Sequence, residues 1–367
     1  MNKILIIQTA FLGDVVLTTP LIRACYEGLN KPEIGLITTP QGRQVLKENP
    51  CLAEMIPYDK KGSMKGLGGF LKIVGQIRKR GFDLAVIPHR SLRSASLAFL
   101  GNIKRRIGFD TSAGRFLLTE KVVYHKGLHE VKRNLEFTRA LGISEGEWRP
   151  EVFVSEQSEE KADQFFSQER LNRAELIIGL NPGSIWVTKR WMPEGFARVG
   201  DMLAEKAGAQ IILFGGKEDI ALVNQIAASM KNKPIMAAGK TTLSELASFF
   251  KRCHLFITND SGPMHIAAAV SAPVVAIFGP TTPSLGFAPY SPHSVVVEIE
   301  HLSCRPCGLH GGKQCPNKSF VCMQEITPAQ VISAAEKLLR LSPGAAFCHN
   351  REITFGDFVN TNHYLQF

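Results

Sequence analysis

The sequence predicts an α/β protein built from two Rossmann-like halves in tandem, with a cleft between them. Short apolar runs rich in β-branched residues alternate with amphipathic stretches along most of the 367 residues. Alternating strands and helices are typical of parallel sheets joined by right-handed crossovers. At roughly 150 residues per domain, the length fits two domains. Because ligands bind beyond the carboxyl ends of the strands in such sheets, the loops that follow strands are the candidate sites.

The first half begins with a short apolar run over 3–9, which is typical of a buried parallel strand. A glycine turn follows it, and then an amphipathic stretch over 15–29 in which Pro20 falls early, where a helix tolerates it. The same patterns predict further strands at 33–39, 54–59 and 83–89, and helices at 41–48, 67–80, 91–100 and 129–141.

The two halves meet in the segment 144–174, which is rich in Glu, Ser, Gln and Arg and has one short apolar run at 151–155. We divide the chain into an N-terminal domain over 1–165, a C-terminal domain over 166–341 and a tail over 342–367, where periodicity is lost. The second half repeats the alternation, with strands at 175–180, 209–214, 234–238, 254–258 and 273–278, and helices at 193–207, 217–230, 242–252, 263–270 and 328–340.

Charge is distributed unevenly between the halves. The formal net charge is +10, and residues 1–150 hold 24 Lys/Arg against 13 Asp/Glu. A basic half indicates an anionic partner, which leaves nucleic acid, an anionic membrane surface and a polyanionic substrate open. No apolar run reaches the ~18 residues of a membrane span, and the N-terminus lacks a signal-peptide pattern. We therefore expect a cytoplasmic protein that touches the inner membrane peripherally.

The first loop after a strand carries an acidic residue, Asp14, directly after a glycine turn. An isolated Asp at such a position is commonly a helix N-cap. A carboxylate at a cleft rim can also accept a proton from a hydroxyl nucleophile, as a general base does.

Three loops of the second half have residues that suit a phosphorylated ligand. Ser184 and Lys189 follow one strand, where small residues let backbone N–H groups approach and lysine supplies a point charge. Glu218 follows another, where an acidic side chain can receive ribose hydroxyls or can simply stabilise the start of a helix. The stretch from Asp260 to His265 enters a helix, so free N–H groups and the positive end of the helix dipole are expected to face the cleft.

These residues match a known family. The chain resembles the bacterial heptosyltransferases of glycosyltransferase family 9, of the lipopolysaccharide heptosyltransferase II type. The matching stretches are FLGDVVLTTP, NPGS with KRWMPEGFA, LFGGKED, AGKTTLSEL, and TNDSGPMHIAAA with PVVAIFGPTTP. The resemblance implies a GT-B fold whose C-terminal helix crosses back to the first domain. It also implies transfer of L-glycero-D-manno-heptose from ADP-heptose to the lipopolysaccharide inner core, Kdo-lipid A, with inversion and with no cofactor required for catalysis.

By position, the resemblance assigns Asp14 as the general base and Lys189 to the donor phosphates. It places Glu218, or the neighbouring Asp219, at the donor ribose. The other positions that it assigns to donor binding are Ser184, Thr241, Asp260, Ser261, Gly262 and His265.

The resemblance also gives the basic half a partner, because the acceptor carries Kdo carboxylates and lipid A phosphates. The candidate acceptor contacts are Lys60, Lys61, Lys65, Arg90, Arg93, Arg105 and Arg115. We expect no nucleic-acid partner, because these positive charges are not interleaved with aromatic residues and no nucleic-acid module is recognised.

Four of the eight cysteines cluster with the spacing C-x2-C-x7-C-x6-C: Cys304, Cys307, Cys315 and Cys322. Four cysteines with one C-x2-C pair can hold Zn²⁺ or an iron–sulfur centre, although the other spacings differ from a standard zinc ribbon. Free thiols, or disulfides formed on isolation, stay open as alternatives. So do three other functions: a family 9 enzyme with another nucleotide sugar or acceptor position, a nucleic-acid-binding protein, and a cysteine-based metal or redox sensor.

Overall fold

The computed structural model describes residues 2–171 and 176–341. The predicted tail over 342–367 lies outside the described residues. Two six-stranded parallel sheets, each flanked by helices, form the architecture, which confirms the predicted α/β class. Among the described residues, no helix combines the length and the apolar character needed to cross a bilayer.

The first sheet has the strand order β3-β2-β1-β4-β5-β6. Its strands are β1 (Lys3–Gln8), β2 (Glu33–Thr38), β3 (Glu54–Pro57), β4 (Leu84–Ile87), β5 (Arg105–Phe109) and β6 (Glu120–Val122). The accompanying helices are α1 (Leu12–Val16), α2 (Thr19–Gly28), α3 (Pro40–Leu46), α4 (Gly66–Arg80), α5 (Leu92–Leu100), α6 (Glu130–Ala140) and α7 (Glu156–Gln168).

The second sheet has the order β12-β11-β10-β7-β8-β9. Its strands are β7 (Ile177–Asn181), β8 (Gln210–Leu213), β9 (Ile235–Met236), β10 (Leu255–Asn259), β11 (Val274–Phe278) and β12 (Ser294–Glu298). Its helices are α8 (Pro193–Ala207), α9 (Ile220–Ser229), α10 (Leu243–Phe250), α11 (Gly262–Ala269), α12 (Val321–Gln324) and α13 (Pro328–Leu341).

The structure adds three strands that the sequence reading missed. β5 begins with two arginines, β6 has three residues, and β12 has only three valines between polar ends, so each presents a weaker apolar signal than a buried strand is expected to give. The predicted helix over 15–29 is two helices, with a break in which the Thr18 hydroxyl donates to the Asp14 carbonyl (2.7 Å). The apolar run at 151–155 is not a strand; its valines pack against the core instead.

The described helices bear on two details of the predicted organisation. A domain boundary at 165/166 would fall inside α7, and this helix packs on α10 of the second half and pairs Glu159 with Arg252. The described C-terminal helix, α13, packs on α8 and β12 rather than crossing to the first domain. Its apolar side chains, Val331 and Leu338 among them, are buried in the second core, which holds the helix there.

The halves meet where α1 packs on α11 and α3 packs on α10. The α1 contact is close because glycine is present on both sides of it. A Cβ added at Gly13 would lie 2.6 Å from the His265 ring, and one at Gly262 would lie 2.9 Å from the Leu12 side chain. This approach places the helix that carries Asp14 beside the N-terminus of α11.

Candidate functional site

A cavity of about 920 Å³ lies between the two halves at the ends of the strands. The first half contributes Asp14, Lys60 and Arg90 to its lining, and the second half contributes Phe287 and His310. This is the position at which open α/β sheets bind ligands, and the volume suits a nucleotide-sized molecule with part of an acceptor.

Asp14 lies in the first turn of α1, at the wall of this cavity. Desolvation by burial, and then the nearby Glu130 carboxylate, raise the pKa of Asp14 to about 7. Backbone hydrogen bonds and the Arg90 guanidinium oppose this shift without cancelling it. A carboxylate that titrates near neutral pH is basic enough to accept a hydroxyl proton and still ionised in a large fraction of molecules.

Glu130 is part of a buried polar group beside Asp14. Its carboxylate pairs with Arg133 (3.0 Å), and burial raises its pKa while the Arg133 hydrogen bond lowers it. The Arg133 guanidinium also donates to the Leu285 carbonyl (2.9 Å) of the second half, and the Glu130 amide donates to the Gly286 carbonyl (2.8 Å). The group therefore joins the two halves while it adds negative charge near Asp14.

Three of the seven predicted acceptor contacts line the cavity: Lys60, Lys61 and Arg90. The Lys60 ammonium donates to the Thr9 carbonyl (2.6 Å), and burial, followed by the neighbouring Lys61, lowers its pKa. Arg90 lies over the ring of Tyr124, 3.9 Å from its centroid. These cations give the first-half wall a positive potential around Asp14.

The other four predicted acceptor contacts do not line the cavity. Arg93 donates to the hydroxyl of Tyr58, itself a lining residue (2.9 Å). Lys65 precedes α4 and is exposed, as is Arg115 in a short 3₁₀ turn. Arg105 forms a two-pronged pair with Glu120 (2.6 and 2.9 Å) and also donates to the Ala140 carbonyl (3.1 Å).

The second half has the features of an anion site where α11 packs on α1, formed by residues that do not themselves line the cavity. Helix α11 begins at Gly262 after an extended Ser261, so its first N–H groups have no partner within the helix. Directly before it, the Asp260 carboxylate is 6% exposed and accepts from the Lys189 ammonium (2.5 Å) and the Thr281 hydroxyl (2.6 Å). The sequence-predicted Lys189, Asp260, Ser261 and Gly262 are thus brought together.

His265 lies in the first turns of α11, buried against Gly13 of the other half. Burial lowers the pKa of His265 to about 4, although Asp260 acts in the opposite direction, so the imidazole is neutral at physiological pH. Its Nδ1 atom is buried and has no hydrogen-bond partner among the described residues. His265 therefore belongs to the contact that aligns α1 with α11, next to both Asp14 and the anion site.

The remaining predicted donor contacts also belong to the second half. Ser184 is buried, and its carbonyl accepts from Arg190 (2.9 Å). Asp219 is turned inward, where its carboxylate accepts from the Gly216 amide (3.1 Å), whereas the adjacent Glu218 side chain is exposed. Thr241 lies in the loop before α10, directly before the N-cap Thr242. Of these two carboxylates, that of Glu218 is therefore the more exposed.

The comparisons with known proteins agree with this arrangement. A family model described as Glycosyltransferase family 9 (heptosyltransferase) matches residues 70–319. A curated relative, lipooligosaccharide heptosyltransferase 2 of Campylobacter jejuni, is 30% identical over 346 residues, covering 92% of this chain and 99% of the relative. The chain belongs to glycosyltransferase family 9.

Solved family 9 structures have the same fold. The glycosyltransferase family 9 structure from Veillonella parvula superposes with a TM-score of 0.85 at 29% identity, covering 93% of this chain and 98% of that one. The E. coli ADP-heptose lps heptosyltransferase II gives a TM-score of 0.74 at 25% identity, with coverages of 92% and 99%. The two-sheet architecture and the cleft are therefore those of family 9 enzymes.

In this family 9 chain Cys304, Cys307 and Cys315 lie in the loop before α12, and Cys322 lies in α12 itself. Cys307, Cys315 and Cys322 line a small cavity of about 90 Å³, and the Cys307 thiol donates to the Cys304 carbonyl (3.3 Å). Across residues 2–171 and 176–341, no three His, Cys, Asp or Glu side chains are arranged to hold a metal ion. Zinc or an iron–sulfur centre at this cluster stays a prediction.

Sequence reasoning missed three residues that the structure places at or beside the cleft: Glu130, Trp186 and His310. Glu130 lies at the start of a helix rather than in a loop that follows a strand, so no motif marks it. Trp186 follows the NPGS stretch and His310 falls between clustered cysteines. Folding alone brings them to the cleft, and a histidine beside cysteines is more readily interpreted as a metal ligand.

Proposed function

We propose that this family 9 protein is an inverting glycosyltransferase that moves L-glycero-D-manno-heptose from ADP-heptose to the heptosyl-Kdo-lipid A inner core of lipopolysaccharide. One observation carries the proposal. A carboxylate with a pKa of about 7, Asp14, lines the cleft, and the helix that carries it packs on α11, whose N-terminus forms an anion site with Lys189 and Asp260.

The two halves of the protein have different roles in the proposed reaction. Asp14 takes the proton from an acceptor heptose hydroxyl, and the resulting oxygen attacks the anomeric carbon from the face opposite the diphosphate. The bond from that carbon to the ADP oxygen breaks as the new bond forms. Lys189 and the free N–H groups of α11 stabilise the negative charge that builds on the departing diphosphate, so the chemistry requires no metal.

The nucleoside end of the donor lies beyond the phosphate site in this proposal. Glu218, exposed after β8, accepts hydroxyl hydrogen bonds from the ribose, and the loop with Thr241 borders the adenine. Ser184, directly after β7, lies at the phosphates. These positions follow the family 9 motifs residue by residue, and the exposure of Glu218 relative to Asp219 supports the assignment of the ribose contact.

The acceptor binds to the basic wall of the first half. Lys60, Lys61 and Arg90 line the cavity beside Asp14, where they would meet the Kdo carboxylates and lipid A phosphates. Arg90 is suited to bidentate pairing with a carboxylate, whereas the lysines act as point charges.

An anionic membrane surface is the second partner that we propose, reached from the cytoplasmic side. Helix α4 packs on α5, and α5 on the 3₁₀ turn that carries Arg115, so these elements form a continuous part of the first half. They expose large apolar side chains, namely Leu67, Leu71, Leu92, Phe99 and Phe116. Lys65 and Arg115 lie among them, and apolar side chains interspersed with cations are typical of interfacial binding.

Sedimentation with phosphatidylglycerol-containing vesicles tests this surface. We expect binding that weakens with salt and is reduced by the double substitution Leu67→Glu, Leu71→Glu, with neutral phosphatidylcholine vesicles as control. Equal binding of the wild type and the double variant would contradict the assignment of the surface.

The cysteine cluster takes no catalytic step in this proposal. A zinc ion or an iron–sulfur centre held by Cys304, Cys307, Cys315 and Cys322 is a separate structural role that the spacing supports. Metal analysis of protein purified anaerobically tests it, and protein free of bound metal after such purification would refute it.

Transfer of radiolabelled heptose to a truncated lipopolysaccharide that ends in heptosyl-Kdo₂-lipid A tests the reaction itself. We expect transfer by the wild type and thermal stabilisation by ADP-heptose. Stabilisation by generic oligonucleotides, with no response to the nucleotide sugar, would instead favour a nucleic-acid-binding protein. Transfer from a different nucleotide sugar would keep the family assignment and change the donor.

A further inference from the structure

The loop that carries Cys304, Cys307 and Cys315, residues 299–320, connects β12 to α12 and reaches the wall of the cleft. Near its start, the Cys307 amide donates to the Pro280 carbonyl (2.8 Å), and Arg305 donates to the Thr281 carbonyl (2.7 Å) and pairs with Glu298 (2.5 Å). These contacts fix the start of the cysteine loop beside Thr281, whose hydroxyl holds Asp260 at the anion site.

The middle of the cysteine loop is bound to the segment that carries Lys189. The Thr188 amide donates to the Gly312 carbonyl (3.1 Å), and the Gly312 amide donates to the Thr188 hydroxyl (2.7 Å). Gly311 lies so close that an added Cβ would be 2.7 Å from Cβ of Trp186 and 2.9 Å from Cγ of Lys189. The loop is therefore seated on the phosphate-binding segment.

This seating brings His310 into the cavity. Its ring is nearly parallel to that of Trp186 (8° between planes, centroids 6.2 Å apart) and meets Phe11 edge-on at 5.0 Å. Phe11 belongs to the first half and lies three residues before Asp14, so the aromatic group connects the two walls. Burial, followed by the nearby Lys189, lowers the pKa of His310, which keeps the imidazole neutral at physiological pH.

His310 thus lines the same cavity as the proposed base and lies close enough to Lys189 and Asp260 for their charges to act on its pKa. In an inverting displacement, the attacking oxygen, the anomeric carbon and the leaving oxygen lie roughly in line. The transferred sugar must therefore lie between Asp14 and Lys189, and His310 shares a cavity with Asp14 and belongs to the loop seated against Lys189. A neutral imidazole offers one donor and one acceptor to hydroxyl groups, and the neighbouring aromatic rings present apolar faces to the C–H groups of a sugar.

We propose that His310, supported by Trp186 and Phe11, is a binding residue for the glycosyl unit of the donor. This inference rests on the proposed function, because it needs a nucleotide sugar in the cleft. It assigns the cysteine loop a role in recognising the sugar, distinct from the contacts to the nucleotide. Loss of the imidazole should therefore weaken the binding of ADP-heptose while leaving ADP binding unchanged.

The test compares His310→Ala and His310→Gln with His301→Ala as a matched control, since the His301 side chain is 93% exposed and pairs only with the surface residue Glu300 among the described residues. Calorimetry with ADP and with ADP-heptose is combined with transfer kinetics. For His310→Ala we expect kcat/KM for ADP-heptose to fall about tenfold or more, ADP affinity to change less than about twofold, and His310→Gln to recover part of the loss.

The experiment distinguishes failure of the proposed function from failure of the His310 assignment. If the wild type binds neither ADP nor ADP-heptose, the proposed function fails. If the wild type transfers heptose and His310→Ala behaves like His301→Ala, the sugar assignment is overturned. It is also overturned if His310→Ala weakens ADP and ADP-heptose equally, because the contact would then be to the nucleotide. Melting temperatures identify a variant that has lost its fold, in which case His310→Gln, of similar size, decides.

Discussion

Removing the proposed base tests the reasoning at the residue where it is most specific. Asp14→Ala eliminates the carboxylate from the wall of the cavity and leaves the anion site of the second half intact, because α1 contributes no side chain to the Lys189–Asp260 pair. General-base catalysis contributes on the order of 10²- to 10⁴-fold, so kcat should fall by about that factor. Affinity for ADP should remain within about twofold of the wild type.

The raised pKa supplies a second magnitude. Asp14 accepts a proton only when ionised, so activity should rise with pH through the pKa of about 7. At one pH unit below that value about a tenth of the carboxyl groups are ionised, so the rate at pH 6 should be roughly a tenth of the alkaline plateau. Substituting Glu130 by Gln removes a neighbouring negative charge that raises the pKa of Asp14. The rising limb should therefore move to lower pH in Glu130→Gln.

The assay measures transfer to the truncated lipopolysaccharide at saturating donor between pH 5.5 and 8.5, with melting temperatures to confirm folding at each pH. Asp14→Ala that retains transfer would refute the assignment of the base. A pH profile of the wild type that is flat across neutrality, or one in Glu130→Gln that moves to higher pH, would refute the electrostatic argument while leaving the assignment itself intact.

Three further predictions concern other parts of the site. Lys189→Ala should weaken ADP binding about tenfold or more and lower the melting temperature, because it leaves Asp260 buried without its cation; calorimetry and thermal denaturation measure the two effects. Arg105→Ala should leave the KM for acceptor unchanged, since its guanidinium is committed to Glu120, whereas Arg90→Ala should raise that KM severalfold. Gly13→Ala should lower kcat, because its Cβ would displace the His265 ring and separate α1 from α11, and unchanged kcat would contradict that role of the glycine.

Much of the fold was predictable because buried parallel strands leave a strong sequence signal. β1, β2, β4, β7, β8, β10 and β11 all appear as apolar runs followed by turn residues. The strands that escaped notice lie toward the sheet edges, β5, β6 and β12, where charged or polar ends are tolerated. The path of α13 was also missed, because an amphipathic pattern shows that a helix buries one face and does not show against which sheet.

The candidate site, like the fold, could be predicted only in part from the sequence. Asp260 and Ser261 directly follow a strand, and Asp14 and Lys189 lie in the connections that follow strands. The topology therefore brings all four toward the carboxyl edges of the two sheets, and motif reasoning could predict their placement. The roles of the arginines could not be read in this way. Arg105 and Arg90 look alike in the sequence, and only the folded register reveals that one has Glu120 as its partner and the other faces the cavity.

The structure changes the interpretation of the excess positive charge in the first half. A net excess of positive charge in the first half does not mean that every cation contacts the substrate. The side chains of Lys60, Lys61 and Arg90 line the cavity. Arg105 instead pairs with the Glu120 carboxylate within the sheet. Lys65 and Arg115 stand instead among exposed apolar side chains. A glycolipid acceptor presents its anionic sugars and its bilayer together, so an enzyme that acts on it needs cations in both places. The two groups of cations would meet different parts of one acceptor. Added salt should therefore weaken vesicle binding and raise the KM for the acceptor, whereas Arg90→Ala should raise only the KM.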